Sequence, residues 1–307
     1  MAAGPRALHR ETRQAPTTGP GGGSAHAPSG DREFAFTERD FQRACRLIHE
    51  HAGISLGTHK RDMVYSRLAR RIRSTGTASF ADYLDHVERG DHDDVQAFVN
   101  ALTTNLTSFF RESHHFDMLG EQLRAAPRRT HELWCCAAST GEEPYSIAIT
   151  ACEAFGTLAP PVRILATDID TNVLNTAARG VYPIERAEAV PPALRHRYFQ
   201  RGTGPNAGLC RVLPALQALI EFRPLNLLAP HYGLAGGFSA VFCRNVMIYF
   251  DKPTQLQVLS RIVPLLESDG VLYAGHSESF THAADLVRPA GRTSYRAAKP
   301  KRAERTA

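Results

Sequence analysis

Three segments of this chain put polar residues of chemical use directly after short apolar runs. Ser139-Thr140-Gly141-Glu142-Glu143 follows Leu133-Trp134-Cys135-Cys136-Ala137. Asp168 and Asp170 follow Val162-Arg163-Ile164-Leu165-Ala166, and Arg244-Asn245 follows Ala240-Val241-Phe242, with Tyr249 four residues beyond Asn245. If the runs are strands of an open α/β sheet, all three segments lie at carboxyl ends, where such sheets bind ligands. A loop that cradles a pyrophosphate needs Gly-x-Gly-x-x-Gly and no carboxylate, so Glu142 and Glu143 argue for a cationic or hydroxylated ligand instead. An acid at the end of the second strand commonly accepts ribose hydroxyls. Asp168 stands 27 residues after Gly141, against about 20 in the dinucleotide motif.

Together the three exits suit a ligand with a ribose, no phosphate and a positive centre. S-adenosylmethionine has all three features. The reading rests on convergence, because each piece alone has a plainer use. A helix dipole favours Glu142 and Glu143 in a first turn, and Asp170 suits a helix cap.

The elements that must position these residues divide in two. Residues 37 to about 100 carry only helical signals. Thr37 reads as an N-cap with acids in the first turn after it. Helices are expected over residues 41–51, 59–74, 80–88 and 93–102. From Glu132 short apolar runs alternate with helical stretches, which predicts a parallel sheet. Strands are expected over 133–137, 162–166, 219–222, 240–242 and 271–274. Pro144 is expected as the first residue of a helix reaching Ala154. Thr171 is expected to cap a helix ended by Gly180, and a long helix should run from Pro253 to about Glu267. Between Val181 and Ala218 the alternation breaks around Gly202-Thr203-Gly204-Pro205 and Asn206-Ala207-Gly208, which predicts a small antiparallel insertion.

Composition narrows the class. A chain of 307 residues with 43% hydrophobic and 22% charged residues suits a soluble globular protein. No apolar run approaches the roughly 20 residues of a membrane span. Residues 1–33 lack the apolar stretch of a signal peptide and read as a flexible tail. The net charge is +5, yet residues 1–33 hold four Arg against three acids, and residues 299–307 hold four basic residues against one acid. The core is left near +1, which gives little support to a nucleic-acid partner. Six cysteines without a C-x-x-C pair read as reduced thiols of a cytoplasmic protein. The adjacent His114 and His115 cannot share one metal as an i, i+4 pair can, and no metal is expected.

Thr103-Thr104-Asn105-Leu106-Thr107-Ser108-Phe109-Phe110-Arg111-Glu112, then AASTGEEPYS, ATDIDTNVL, FCRNVMIYFD and AGHSESF, resemble the motifs of the CheR family. Its members are chemotaxis receptor glutamate O-methyltransferases that use S-adenosylmethionine. The resemblance runs from about Thr37 to Ala298, with the five motifs in family order. It implies a tail at 1–33, a small all-α domain at 34–102 and a linker with a cofactor motif at 103–131. A class I S-adenosylmethionine-dependent, Rossmann-like α/β domain at 132–298 would follow, with an antiparallel β-subdomain inserted at 181–218 and a basic tail at 299–307. It further implies receptor methyl esters made during adaptation by a cytoplasmic monomer, with no nucleic-acid partner and no membrane insertion. The absence of an Asn-Pro-Pro-Tyr type of turn after the fourth strand agrees with a carboxylate acceptor.

By motif position the resemblance nominates Asn105, Thr107, Arg111, Glu143, Asp168, Asn226, Leu227, Arg244 and Asn245 for cofactor binding. It leaves open whether Glu142 or Glu143 makes the contact. Arg111 and Tyr249 resemble the pair that faces the reacting centre. A glutamate acceptor is ionised at neutral pH and needs no general base, so Arg111 should orient groups rather than neutralise the nucleophile. At about 100° per residue, Lys60, Arg67, Arg70 and Arg71 share one arc of the second helix, and the resemblance makes that arc a docking face for acidic receptor helices. Arg201-Gly202-Thr203-Gly204-Pro205 resembles the loop of members whose β-subdomain takes a receptor's C-terminal peptide by strand addition.

Overall fold

The computed structural model describes residues 32–126 and 130–298. The tails expected at 1–33 and 299–307 fall almost wholly outside the described residues. The helical part consists of α1 (Glu38–Ala52), α2 (Arg61–Thr75), α3 (Phe80–Arg89) and α4 (His92–Leu102). Thr37 caps α1 as its sequence position suggests. Its hydroxyl oxygen accepts the Asp40 N–H at 3.1 Å, and the Asp40 carboxylate accepts the Thr37 N–H at 2.9 Å. This is a reciprocal capping box. The apolar faces of the four helices close on one another through Phe41, Ile48, Leu68, Ile72, Phe80 and Phe98. Residues 58–60 form a 3-10 turn, so α2 begins later than expected and Lys60 is its N-cap.

The larger part begins with α5 (His114–Ala125), then β1 (His131–Cys135), α6 (Glu142–Phe155), β2 (Val162–Asp168) and α7 (Thr171–Arg179). An insertion follows, made of β3 (Val181–Pro183), α8 (Pro192–Tyr198), β4 (Phe199–Arg201) and β5 (Leu209–Val212). The main chain of elements resumes with α9 (Pro214–Gln217), β6 (Ile220–Pro224), β7 (Phe238–Cys243), α10 (Lys252–Ile262), β8 (Leu266–Ala274), β9 (Val287–Gly291) and β10 (Ser294–Ala297). The seven-stranded sheet has the order β6-β2-β1-β7-β8-β10-β9. Its first five strands are parallel, and β10 runs antiparallel to both β8 and β9. The insertion forms a separate antiparallel sheet, β3-β5-β4.

The sheet is covered on both sides, and the two-residue period of its strands sorts them. Leu133 and Cys135 of β1 face a core shared with Phe116, Leu119 and Ile147 of α5 and α6. Trp134 faces the other core, with Val258, Leu259 and Ile262 of α10. The buried Trp134 indole N–H donates to the Thr167 hydroxyl at 3.0 Å. From β1 the chain moves outward to β2 and β6, then crosses back to β7 on the other flank of β1. The carboxyl ends of β1 and β7 are therefore a topological switch point, where a ligand crevice opens.

Several boundaries differ from the sequence-based expectation for identifiable reasons. Helix α6 starts at Glu142, after Gly141 at φ 100°, so Pro144 is its third residue rather than its first. Proline is tolerated there because the N–H groups of a first turn have no partner within the helix. Asp170, not Thr171, caps α7, accepting the N–H groups of Asn172 and Val173. Helix α10 ends at Ile262 rather than near Glu267, in a 3-10 turn that contains Pro264. Proline has no N–H to donate and disfavours helix at the residue before it. Residues 103–131, expected as linker, contain α5, and its Phe116, Leu119 and Leu123 belong to the main core. The pair β9 and β10 was not anticipated. Among the described residues no helix is long and apolar enough to cross a membrane.

Candidate active site

A cavity of about 370 Å³ opens at the carboxyl ends of β1, β2, β6 and β7. Every residue nominated for the cofactor or the reaction lines it, from Asn105, Thr107 and Arg111 to Arg244, Asn245 and Tyr249. Lys60 lines it too. The other three members of the basic arc, Arg67, Arg70 and Arg71, line a separate groove between α2, α4 and the start of α7. The arc expected as one docking face is thus divided between two openings.

Asp168 ends β2 and is 7% exposed. One oxygen accepts the Ser139 N–H at 2.8 Å and the other accepts the Asp170 N–H at 2.9 Å. Each oxygen keeps a further acceptor position. Burial pushes the Asp168 carboxyl up to about 6, against the pull of those N–H donors. Ser139 reaches its place in a left-handed turn at φ 48°. Asp170 points away, accepting the Thr103 hydroxyl at 2.7 Å and the Asn105 amide at 2.8 Å. That pair ties the linker to the second strand exit.

The alternatives Glu142 and Glu143 separate cleanly. Glu142 is buried against Arg186 of the insertion and the Thr140 hydroxyl, and does not line the cavity. Glu143 does line it. One Glu143 oxygen receives Arg244 Nη1 at 2.6 Å, and the other accepts the Cys135 thiol at 3.4 Å. Burial raises the Glu143 carboxyl, and the Arg244 charge opposes it. The Arg244 guanidinium also donates to the Arg111 carbonyl, stands 3.3 Å from Glu112 Oε2 and lies 5.7 Å over the Phe116 ring. Arg244 is only 3% exposed. It acts first as an internal brace between two carboxylates, which a lone buried charge would need.

Arg111 is flanked by two residues in left-handed backbone, Phe110 at φ 52° and Glu112 at φ 56°. Such conformations cost about 1–3 kcal/mol each and persist where the surroundings over-determine them. Here the Phe110 N–H donates to the Ser146 hydroxyl at 2.9 Å. Glu112 accepts the His276 N–H at 3.1 Å and lies near the Asn245 amide. Burial alone would raise the Glu112 carboxyl, but the His276 N–H and the Arg244 charge outweigh it and hold it low. The Arg111 side chain itself donates to the Leu106 carbonyl at 2.9 Å.

Asn245 begins the turn after β7 at φ 56°. Gly275, at the end of β8, comes so close that a Cβ there would lie 2.8 Å from the Asn245 nitrogen. The turn continues through a 3-10 segment, Met247–Tyr249, with Met247 buried and Tyr249 half-buried at the cavity wall. Asn226 uses its amide on the His51 carbonyl at 2.7 Å and its side-chain oxygen on the Leu228 N–H at 2.8 Å. Leu227 is buried beside it.

Sequence reasoning missed three contributors. Glu278 staples the Asn245 turn through main-chain N–H groups. Glu112 links the linker to both β7 and β8 exits. The loop between α1 and α2 supplies a wall through Ile54, Ser55 and His59. Glu112 and Glu278 do stand inside the quoted motifs, beside residues that were singled out. No local pattern marks the α1–α2 loop. His115, one of the paired histidines, is a buried strut whose ring contacts the Thr293 hydroxyl at 2.8 Å. Burial and the Arg244 charge lower its basicity to about 3, so it stays neutral.

A family model described as "CheR methyltransferase, SAM binding domain" matches residues 105–296, and one described as "CheR methyltransferase, all-alpha domain" matches residues 39–103. The chain is 54% identical over 268 residues to chemotaxis protein methyltransferase 2 of Pseudomonas aeruginosa, covering 87% of this chain and 95% of that one. It is 50% identical over 280 residues to a chemotaxis protein methyltransferase of Klebsiella aerogenes, covering 91% and 96%. It is also 50% identical over 269 residues to that of Escherichia coli K12, covering 87% and 93%.

Proposed function

We propose that this chain, which belongs to the CheR methyltransferase family, converts glutamate side chains of chemotaxis receptors into methyl esters with S-adenosylmethionine. The observation that carries the reading is the meeting of Asp168, Glu143, Arg111 and Tyr249 on one cavity at the switch point of the sheet. The residues present fit the cofactor. Asp168 keeps an acceptor position on each oxygen for a ribose diol. Ile169 and Leu227 offer apolar surface for a base, and the buried Glu143 contributes negative potential for a cation.

When bound, S-adenosylmethionine supplies a methyl group on positively charged sulfur, which passes to a carboxylate oxygen as the carbon–sulfur bond breaks. No proton moves, so the protein supplies no base. Its residues bind, orient and exclude water. Asn105 and Thr107 shape the linker wall, and Asn226 and Leu227 the floor. Arg244 holds Glu143 and Glu112 in place. Asn245 sets the turn that carries Tyr249. Arg111, pinned through its neighbours, orients the acceptor carboxylate, while the Tyr249 hydroxyl faces the transfer centre. A strong contact from Arg111 would stabilise the acceptor before transfer and slow it. Lys60, Arg70 and their neighbours would attract an acidic receptor segment. The β-subdomain would take a receptor's C-terminal peptide along an edge strand.

The test is methyl transfer from labelled S-adenosylmethionine to a purified receptor cytoplasmic fragment, followed by mild alkali. Label released as methanol supports an ester; label stable to alkali would exclude one. Arg111→Ala and Tyr249→Phe should each cut turnover by about 100-fold, in the range of lost positioning groups. Their S-adenosylmethionine affinity should fall far less.

A further inference from the structure

Five large apolar side chains stand exposed among the described residues, and two of them, Leu106 at 79% and Ile248 at 49%, line the candidate cavity. Single exposed leucines need no explanation. These two differ because each projects from backbone that is pinned on both sides. Next to Leu106, the Asn105 side-chain amide donates to Asp170 at 2.8 Å, and the Asn105 main-chain carbonyl accepts the Ser139 hydroxyl at 3.2 Å. The Leu106 carbonyl itself accepts Arg111 at 2.9 Å. Ile248 lies between Met247, whose N–H is held by Glu278 at 2.8 Å, and Tyr249, whose carbonyl accepts the Ser55 N–H at 2.9 Å. Neither is a frayed loop tip. The chain spends ordered backbone on holding two branched apolar side chains out toward water. They come from segments more than a hundred residues apart, each one residue from a group assigned to the site.

The cavity they border also contains Lys60 and Arg111. The opening therefore combines apolar lips with positive charge. A small, freely diffusing acid would need only the charge. A segment of protein that carries a carboxylate among apolar neighbours would use both. In a helical acceptor, residues three or four positions from the acceptor glutamate share its face and would meet the lips as the glutamate enters.

We infer that Leu106 and Ile248 form an apolar grip on the receptor segment flanking the acceptor glutamate, and so determine which glutamates are methylated. The inference rests on the acceptor reading above and adds the residues that select within it. The grip is made to the acceptor protein and not to the cofactor, so it should appear in the KM for the receptor.

The experiment uses the full chain, its Leu106→Ser and Ile248→Ser variants, and a purified receptor cytoplasmic fragment that the wild type methylates. Each variant should raise the KM for the fragment by about tenfold, the loss expected when one branched side chain no longer buries apolar surface on a partner. The affinity for S-adenosylmethionine by calorimetry and the turnover at saturating fragment should stay within twofold of the wild type, roughly the resolution of such comparisons. Leu106→Met should restore most of the receptor affinity. An unchanged fragment KM in both serine variants, with intact alkali-labile methylation, overturns the grip and leaves the acceptor reading standing. Equal losses in cofactor affinity also overturn it. Absence of alkali-labile product with the wild type overturns the acceptor reading, and the grip with it.

Discussion

The Glu278 carboxylate accepts the main-chain N–H of Asn245 at 2.9 Å, across 33 positions of sequence. The same oxygen takes the Gly275 N–H, and the other takes the Met247 N–H at 2.8 Å. One buried side chain thus joins the exits of β7 and β8 and holds Asn245 at φ 56°. The turn it holds ends in Tyr249. Glu278→Gln would set an amide N–H against main-chain donors and leave one of them without an acceptor, a cost of about 1–3 kcal/mol. The expected result is a kcat reduced by about 10- to 100-fold, the scale for a misplaced positioning group, with the unfolding temperature lowered by a few degrees. Stopped turnover and a thermal melt measure both. A variant with wild-type kcat would show that Tyr249 does not depend on the staple.

Asp168 makes the pH dependence specific. Burial raises its carboxyl from 3.8 to about 6. In the unfolded chain it ionises near 4. The folded, ligand-free protein therefore holds this proton more tightly than the unfolded chain does. Its contribution to stability is fully present below about pH 4, falls as pH rises toward 6, and is lost above that. Ribose hydroxyls need the ionised acceptor, so cofactor binding should run the other way. Affinity for S-adenosylmethionine should climb between pH 5 and about 7 and then level off, approaching tenfold per pH unit at the low end. Calorimetry across this range should show the rise in the wild type. Asp168→Asn should bind more weakly and lack that step. A wild-type affinity that does not change from pH 5 to 8 would remove Asp168 from the binding role.

Much of the site was legible because a parallel sheet announces its working edge. An apolar run that stops at polar residues marks a strand exit, and Asp168 and Arg244-Asn245 were found that way. Thr37 and Asp40 were legible because a capping box spans only three positions. Glu278 was not, because two of its three main-chain N–H partners stand 31 and 33 positions away and only Gly275 is near in sequence. A staple of that kind leaves no periodicity. The wall from Ile54 to His59 was missed for a similar reason: the glycines around it mark only a break in helix. Strands β9 and β10 escaped notice because most of β9 is exposed and lacks an apolar alternation. Pro144 misled because the first turn of a helix accepts proline at more than one position. The separation of Glu142 from Glu143 needed the Arg186 contact, which the insertion brings from 44 positions away.

The divided basic arc yields a sharper docking test than the helix wheel alone. Arg67 is half-buried and donates to the main-chain carbonyls of Ala101 and Thr103, capping the end of α4. The Arg71 charge opposes the rise that burial gives the Tyr83 phenol. Arg70 is exposed on the groove between α2, α4 and α7. Reversing Arg67 would therefore leave two main-chain carbonyls without their donor, at about 1–3 kcal/mol, and lower the unfolding temperature by several degrees. Any loss of methylation in Arg67→Glu would then confound folding with docking. Arg70→Glu avoids that difficulty: its unfolding temperature should match the wild type. If the groove meets an acidic receptor helix, Arg70→Glu should raise the fragment KM several-fold at low salt, and the difference should shrink near 0.5 M salt as screening shortens the reach of charge. Steady-state methylation at two salt concentrations, beside a thermal melt of each variant, separates the cases. Arg70→Glu with an unchanged KM at low salt would move docking away from this groove.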